Sequence, residues 1–275
     1  MPAYARPATL PEALQLMSQG GWRVLAGGTD LYPGAGRSLA GPVLDLSAVA
    51  GLDGMTLGDG LRIGAATSWA AIARAKVPPA LLALQQAAVQ VGGRQIQAAG
   101  TIGGNLCNAS PAADGVPPLL ALDAEVELAS ATGLRRLALR DFLRGPRQTA
   151  LLPGEVLVAV LIPDAALAGR SAFVKLGARR HLVISIAMVA ARLEMAEGRV
   201  TGAAISVGSC SAVAVRLPRV EAALTGVPVA QAAEQVRASD VTVALSPIDD
   251  IRATASYRQS AAVELIRRAV AGALA

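Results

Sequence analysis

Two glycine pairs carry the clearest chemical signal in this sequence. Gly27 and Gly28 lie in the stretch LAGGTDL, and Gly103 and Gly104 lie in TIGGN, each beside apolar residues. Because glycine has no Cβ, successive backbone N–H groups at such a pair can turn toward one anion. Two such loops, each opening from an apolar strand, are suited to hold a diphosphate between two subdomains. A tight turn that only needs positive φ is the alternative for each pair.

Two polar side chains are further candidates for binding. Asn105 follows the second glycine pair and adds an amide that both donates and accepts hydrogen bonds. Lys175 is one of only two lysines and lies in the apolar stretch AFVKLG. A buried ammonium group requires an acceptor, while the alternative is a side chain that reaches solvent. We interpret His181 as an edge residue of a strand rather than a catalytic group, and Cys107 as a small apolar filler rather than a ligand contact.

Common cofactor and metal motifs do not occur in the sequence. The glycines of GDGLRIG stand at positions 58, 60 and 64, which misses the dinucleotide-binding spacing, and there is no phosphate-loop motif. Two cysteines and one histidine are too few for a four-ligand zinc site or a four-iron cluster. The sequence therefore predicts no metal site and no catalytic residues of its own.

The composition narrows the class of protein. The chain has 275 residues, of which 53% are hydrophobic, 16% charged and 3% aromatic, and its net charge is +5. Its basic residues are almost all arginines in runs of two at most, and the few aromatics offer no stacking surface, so we expect no nucleic-acid partner. The low charged fraction indicates a surface partly covered by other subunits or by a ligand.

No segment predicts secretion or a membrane span. The stretch MPAYARPATLPEALQLM lacks the charged and apolar regions of a signal peptide. No apolar run reaches the ~18 residues that a membrane helix needs. We therefore expect a cytoplasmic protein without a structural disulfide.

Changes in patterning predict three structural units. A helix from Thr9 and two short strands, WRVLAG and PVLDLSAV, open the chain. A hairpin at MTLGDGLRIG and strands at AEVELAS, LRRLALRDF and EVLVAVLIP indicate an antiparallel sheet. Strands at SAFVKLGARR, VISIAMVAARLEM and RVTGAAISVGS precede a closing helix at SYRQSAAVELIRRAVAGA. We predict an α+β protein with units at 1–54, 55–168 and 169–275, the last a three-stranded sheet plus helices.

These motifs together resemble one protein family along nearly the whole chain. LAGGTDL and AAGTIGGNLCNASPAADGVPPLLALDAEVEL resemble the two flavin-binding segments in the FAD-binding medium subunit of the molybdenum hydroxylases. That family includes xanthine dehydrogenase, carbon monoxide dehydrogenase and aldehyde oxidoreductases. DFLRGPRQTALLPGEVLVAVLIP, FVKLGARR and SPIDDIRATASYRQSAAVELIRR resemble later segments of the same subunit. The resemblance implies a fold of the vanillyl-alcohol-oxidase type, with noncovalent FAD between the first two units.

The resemblance also implies roles for individual residues. The first segment would hold the pyrophosphate side of FAD and the second would supply the opposite clamp. Asp114 would bind a sugar or ribityl hydroxyl, Leu157 would pack on the flavin, and Lys175 would approach the flavin from the third unit. The implied cofactor-binding residues are Leu25, Ala26, Gly27, Gly28, Thr29, Asp30, Leu31, Thr101, Ile102, Gly103, Gly104, Asn105, Asp114, Leu157 and Lys175.

The implied activity is electron transfer within an oxidoreductase complex. FAD on this chain would collect electrons from 2Fe-2S clusters on a small subunit and pass them to an external acceptor. A large subunit with a molybdenum cofactor would oxidise the substrate, and a dimer of heterotrimers is expected. The alternatives are a stand-alone flavin-dependent oxidase or dehydrogenase of the same fold, and a binding module whose flavin site has decayed.

Overall fold

The computed structural model describes residues 4–36 and 39–275. The elements of its first part are β1 (Tyr4–Ala5), α1 (Leu10–Ser18), β2 (Arg23–Leu25) and β3 (Val43–Asp45). The strands form a parallel sheet in the order β1-β3-β2. Thr9 caps α1 as predicted, because its hydroxyl accepts from the Glu12 N–H while the Glu12 carboxylate accepts from the Thr9 N–H. Strand β1 is too short to leave a pattern in the sequence.

The middle part alternates short helices with antiparallel strands. Its elements are β4 (Met55–Gly58), β5 (Gly60–Gly64), α2 (Trp69–Arg74), a 3-10 turn (Pro79–Leu81), α3 (Leu82–Ala88), α4 (Arg94–Ala99), α5 (Ile102–Asn108), α6 (Val116–Ala121), β6 (Glu125–Ser130), β7 (Gly133–Ala138), α7 (Leu139–Phe142), β8 (Leu143–Gly145), β9 (Gln148–Thr149), β10 (Val156–Ile162) and a second 3-10 turn (Asp164–Leu167). The predicted antiparallel sheet is present in the order β4-β5-β10-β6-β7, and β8 pairs with β9.

The second glycine pair lies in a helix, so the predicted loop after a strand is wrong there. The element before it is α4, and Thr101 is the N-cap of α5, with its hydroxyl accepting from the Gly104 N–H at 3.0 Å. A threonine that accepts from the N–H groups of the following turn is a strong helix start. This cap outweighs the low helix propensity of Gly103 and Gly104.

The last part is an antiparallel sheet covered by helices. Its elements are β11 (Arg170–Leu176), β12 (Ala187–Ala196), β13 (Arg199–Gly208), β14 (Val215–Arg216), α8 (Pro218–Leu224), a 3-10 helix (Val229–Gln235), α9 (Ala238–Thr242) and α10 (Ala255–Leu274). The sheet order is β11-β12-β13-β14. The prediction of three strands is therefore wrong by one strand, because β14 is too short to produce an alternating pattern.

Apolar packing joins the middle and last parts. A buried cluster that includes Phe173 and Met188 connects α3 and α6 to the sheet of the last part. The Ser171 hydroxyl accepts from the Ala83 N–H at 2.9 Å inside this contact. Helix α10 packs on the opposite face of the same sheet. No sheet crosses the boundaries between 1–54, 55–168 and 169–275 in the described residues, and we propose these ranges as the units of the fold.

Candidate functional site

A cavity of about 850 Å³ lies where the three parts of the chain meet. Its wall combines the loop after β2, the region from α4 to the loop after α5, the start of β10, and residues 182–184 between β11 and β12. Small-molecule sites typically measure roughly 300–1,000 Å³. The predicted binding residues on the wall are Ala26, Gly27, Gly28, Thr29, Asp30, Leu31, Thr101, Gly103, Gly104, Asn105, Asp114 and Leu157. Leu25, Ile102 and Lys175 are not on it.

The loop after β2 presents backbone N–H groups that lack protein acceptors. Within the part of the chain that the structure describes, nothing accepts a hydrogen bond from the N–H groups of residues 27–31. Gly28 has a φ of +70°, which favours glycine. Its carbonyl accepts from the Tyr32 N–H at 3.0 Å, so the chain turns here as at the start of a helix. These N–H groups form a set of donors suited to an anion.

Gly27 brings this loop against the end of α4. A Cβ on Gly27 would stand 1.9 Å from the carbonyl oxygen of Ala99 and 2.9 Å from the Cα of Gly100. No side chain fits at that distance, so glycine is required for the contact. The close approach at this position joins two walls of the cavity to each other.

The second glycine pair differs because its N–H groups are already paired. Those of residues 102–105 all donate to protein oxygens. The pairs are Ile102 to the Thr67 carbonyl at 3.0 Å, Gly103 to the Ala65 carbonyl at 2.9 Å, Gly104 to the Thr101 hydroxyl at 3.0 Å, and Asn105 to the Thr101 carbonyl at 3.0 Å. A Cβ on Gly103 would also stand 2.7 Å from the Ala65 carbonyl oxygen. The backbone of this segment therefore serves packing and capping.

Asn105 offers an unpaired acceptor at the cavity. Its Oδ1 atom is buried and has no hydrogen-bond partner among residues 4–36 and 39–275. A buried unpaired acceptor costs roughly 1–3 kcal/mol, which a ligand donor would offset. Beside it, a Cβ on Gly104 would meet the Thr101 hydroxyl at 3.0 Å and otherwise open space. This wall leaves both room and hydrogen-bonding capacity for a ligand.

Asp114 faces the cavity and is held from behind. Lys175 Nζ lies 2.5 Å from Asp114 Oδ2, and the Ser185 hydroxyl donates to Oδ1 at 2.6 Å. Burial raises the pKa of the Asp114 carboxyl, while Lys175 and Ser185 act in the opposite direction. Lys175 is buried and also donates to the Gln90 carbonyl at 3.3 Å. The Lys175 ammonium thus has the hydrogen-bond acceptors that a charged group on an apolar strand requires. It contacts Asp114 from behind and is not part of the cavity wall.

The polar side chains of Asp30, Asn108 and Arg147 meet at one side of the cavity. Of these three, only Asp30 was predicted from the sequence. Asn108 Nδ2 donates to Asp30 Oδ1 at 2.8 Å, and Arg147 donates to Asn108 and stands 3.9 Å from Asp30. Arg147 comes from the turn between β8 and β9, where its φ is +60°. Glycine is the residue that normally indicates a positive φ, so an arginine with this φ cannot be recognised from the sequence. No local pattern therefore predicted that Arg147 lies at the cavity.

Cys107 and the segment 182–184 also differ from their sequence interpretations. Cys107 is exposed on the cavity wall, so its interpretation as an apolar filler is wrong. Leu182 and Ile184 are exposed apolar side chains on the same wall. In the sequence, the only feature that marks residues 182–184 is an apolar run shortly after Arg179 and Arg180. His181, which precedes Leu182, is exposed.

The described residues contain neither a cluster of metal-binding side chains nor a membrane-spanning helix. No group of three or more His, Cys, Asp and Glu side chains in residues 4–36 and 39–275 is placed to hold a metal ion. Over the same ranges, no helix has the length and hydrophobicity needed to cross a membrane.

Two known protein families match consecutive parts of this chain. Residues 1–165 match the family described as the FAD binding domain in molybdopterin dehydrogenase, and residues 172–273 match the CO dehydrogenase flavoprotein C-terminal domain. The chain is 32% identical to the nicotine 6-hydroxylase medium subunit of Paenarthrobacter nicotinovorans, over 97% of this chain and 95% of that protein. It is 30% identical to the xanthine dehydrogenase FAD-binding subunit of Escherichia coli O157:H7, over 98% and 97%.

Solved structures agree with the sequence matches. A chain in reconstituted CO dehydrogenase from Oligotropha carboxidovorans superposes with a TM-score of 0.90 at 30% identity, covering 100% of this chain and 98% of that one. A chain in quinoline 2-oxidoreductase from Pseudomonas putida 86 gives a TM-score of 0.88 at 29% identity, covering 100% and 97%. The fold, cavity and sequence together define a flavin-binding component of an oxidoreductase. The chain belongs to the family of FAD-binding domains of molybdopterin dehydrogenases.

The predicted family, α+β fold and oxidoreductase class are therefore confirmed. The described residues also fit the FAD that the family name implies. The cavity has a suitable volume, the loop at 27–31 supplies free N–H donors, and Asn105 Oδ1 is an unpaired acceptor. Leu157 and residues 182–184 add apolar wall on which a planar ring system can pack.

Proposed function

We propose that this chain is the flavoprotein subunit of a molybdenum hydroxylase and carries one noncovalent FAD in the cavity. In this function it takes up electrons from iron–sulfur centres of a small subunit and passes them to an external acceptor. The observation that carries the proposal is the cavity wall at residues 27–31, whose five N–H groups have no acceptor in the described chain. A dinucleotide diphosphate is an anion that such a wall can bind.

We assign different parts of FAD to different walls according to the groups that each wall offers. The N–H groups of residues 27–31 would hold the diphosphate. Gly104 would give the ligand room, and Asn105 would accept a hydrogen bond from it. Asp114 would accept from a ribityl or ribose hydroxyl, and Leu157 would pack against the ring. FAD itself supplies exchange of electrons one or two at a time, and the protein supplies binding and electrostatic tuning.

The cavity supports a noncovalent site. Among the described residues on its wall there is no histidine that could hold the flavin covalently or accompany Cys107 as a base. All flavin should then be released when the purified chain is precipitated with acid. Colour that stays on the pellet would contradict the noncovalent assignment.

The relatives support a heteromeric assembly. Two of them are named as a medium subunit or an FAD-binding subunit, and a third as the medium chain of carbon monoxide dehydrogenase from Afipia carboxidovorans. We propose an iron–sulfur small subunit and a molybdenum-cofactor large subunit as partners, a dimer of heterotrimers as the assembly, and the cytoplasm as its location. The low charged fraction of this chain fits a surface that other subunits cover.

A thiol footprint tests whether FAD occupies this cavity. Cys107 is exposed on the wall and Cys210 is buried, so the chain contains its own control. FAD should slow modification of Cys107 by a small mercurial in the flavin-free protein, while Cys210 stays unmodified in both forms. Equal rates at Cys107 with saturating FAD would place the cofactor elsewhere.

A second experiment tests the division of labour among subunits. The isolated chain should be reduced by dithionite and reoxidised by an artificial acceptor. Purines and aldehydes should not bleach its flavin under anaerobic conditions until the iron–sulfur and molybdenum subunits are added. Rapid bleaching by any of these substrates with this chain alone would favour the stand-alone oxidase or dehydrogenase.

A further inference from the structure

A carboxylate shared by two arginines lies outside the cavity wall. Asp250 Oδ2 accepts from the Arg252 guanidinium at 2.6 and 3.0 Å, and Asp250 Oδ1 accepts from Arg258 at 2.6 Å. Arg258 is only 1% exposed. The hydrogen bonds from Arg252 hold the pKa of the Asp250 carboxyl well below its usual range, so the carboxylate stays ionised. We name these three residues the arginine clamp.

The arginine clamp holds two consecutive carbonyls of one segment. Arg252 donates to the Ser185 carbonyl at 2.9 Å, and Arg258 donates to the Ile186 carbonyl at 2.5 Å. Residues 177–186 connect β11 to β12 without helix or strand, and within them 182–184 line the cavity. The arginine clamp therefore fixes the end of an irregular segment directly after its cavity-facing residues.

The arginine clamp also reaches the cavity by two hydrogen-bonded routes. Ser185 is completely buried and donates its hydroxyl to Asp114, which faces the cavity. Arg258 donates to the Ser209 carbonyl at 2.9 Å, and the Ser209 N–H donates to the Pro111 carbonyl at 3.0 Å. Pro111 lies in the loop between α5 and Asp114. Two separate stretches of chain beside the cavity are thus tied to the arginine clamp, one through Arg252 and Ser185 and the other through Arg258 and Ser209.

The energetics favour a positioning role for this network. An irregular segment loses backbone entropy when it is ordered, and buried charges lose hydration. The Nε atom of Arg258 has no hydrogen-bond partner among residues 4–36 and 39–275, so the network keeps one unfavourable buried donor. A hydrophobic side chain at position 258 would fill the core without these costs, but it would leave the carbonyls of Ile186 and Ser209 without this donor.

We propose that the arginine clamp is a positioning device for the cofactor site. It holds residues 182–184 against the bound flavin and keeps the Ser185 hydroxyl on Asp114. Asp250, Arg252 and Arg258 touch no cavity atom and act through these segments. The inference rests on the proposed function, because it takes FAD as the occupant of the cavity.

The test replaces Arg252 with glutamine, because its side chain is partly exposed and the variant is the least disruptive of the three. R252Q should raise the Kd for FAD about tenfold, the effect expected for loss of one charge-assisted hydrogen bond. In the flavin-free protein it should also speed amide exchange in peptides covering residues 177–186. Unchanged Kd and unchanged exchange in R252Q would overturn the proposal.

Two control variants separate positioning from general loss of stability. Val270→Ala removes buried methyl groups of α10 and should lower the Tm without changing the Kd for FAD or the exchange of residues 177–186. Arg268→Gln removes an exposed arginine that pairs with Glu264 on the same helix and should change none of these readouts. If V270A raises the Kd as much as R252Q does, the role of the arginine clamp is only structural.

A double-mutant cycle tests the route through Ser185. If Arg252 acts by placing Ser185 on Asp114, the effects of R252Q and S185A on the Kd for FAD will be less than additive. Additive effects would exclude this route. Wild-type protein that binds no FAD would instead contradict the proposed function, and the exchange rates of residues 177–186 in R252Q would still test the arginine clamp alone.

Discussion

The two glycine pairs are similar in the sequence but have different roles in the structure. Residues 27–31 line the cavity, and their backbone N–H groups have no acceptor among the described residues. At residues 102–105 every N–H group donates to a protein oxygen. The difference originates in what comes before each pair, because β2 ends in an open turn whereas Thr101 starts a helix. A glycine pair by itself therefore does not identify an anion site.

Gly27 should be the most sensitive of these positions. Its Cβ in Gly27→Ala would stand 1.9 Å from the Ala99 carbonyl oxygen, so the loop must move away from α4 and carry its N–H donors with it. We expect FAD binding to be lost, with destabilisation of roughly 1–3 kcal/mol or more. Titration of flavin fluorescence and denaturant unfolding measure the two effects.

A matched control for Gly27→Ala is Gly58→Ala. A Cβ at Gly58 meets nothing within 4 Å, and this residue lies in the hairpin far along the chain from either glycine pair. The control should keep wild-type affinity for FAD. Wild-type affinity in the Gly27→Ala protein itself would show that the loop at 27–31 does not hold the cofactor.

Gly103→Ala should separate stability from FAD binding. The new Cβ would stand 2.7 Å from both the Cβ and the carbonyl oxygen of Ala65, which pushes α5 away from the end of β5. We expect the flavin-free protein to lose roughly 1–3 kcal/mol of unfolding free energy. The Kd for FAD at low temperature should change much less than in Gly27→Ala, because the N–H groups of this segment already have protein acceptors. Equal loss of FAD affinity in both variants would remove the distinction between the two segments.

The contrast between the two glycine pairs also shows which features could be predicted from the sequence alone. Alternation and turn residues identified the strands of the middle sheet and three of the four strands of the last sheet, and the capping pattern at Thr9 identified α1. Most of the binding residues that the family resemblance implied line the cavity. Local patterns could not predict that Lys175 stands behind Asp114, or that Arg147 and residues 182–184 reach the same wall. Those placements depend on contacts between distant parts of the chain.

Thr101 shows how a missed capping role changed an interpretation. TIGGN contains the threonine of a helix N-cap, but the two glycines suggested a loop. Thr101→Val keeps the shape of the side chain and leaves the Gly104 N–H without its acceptor. We expect a loss of about 1 kcal/mol in unfolding free energy, which thermal unfolding of the flavin-free protein measures. Thr101→Ser should recover it, and a Val variant as stable as the wild type would show that the cap contributes nothing.

The smallest effect should come from Glu155, a cavity-lining residue that belongs to neither glycine segment. Its carboxylate accepts from Arg135 at 2.6 and 2.8 Å and from the Leu152 N–H at 2.8 Å, and the bonds from Arg135 hold its pKa below the usual value. A carboxyl whose pKa is lowered by folding stabilises the protein above its unfolded pKa of about 4.3, and that stabilisation is lost as pH falls through the folded pKa.

Glu155→Gln should therefore cost about 1 kcal/mol or less near neutral pH, and its stability should fall less steeply than that of the wild type as the medium is acidified below about pH 5. Denaturant unfolding across this range measures the two slopes. The Kd for FAD at neutral pH should stay at the wild-type value, because the pair of Glu155 and Arg135 supports the wall without using the donors at residues 27–31. A marked loss of FAD affinity in this variant would mean that the wall at β10, and not the contrast between the two glycine segments, controls cofactor binding.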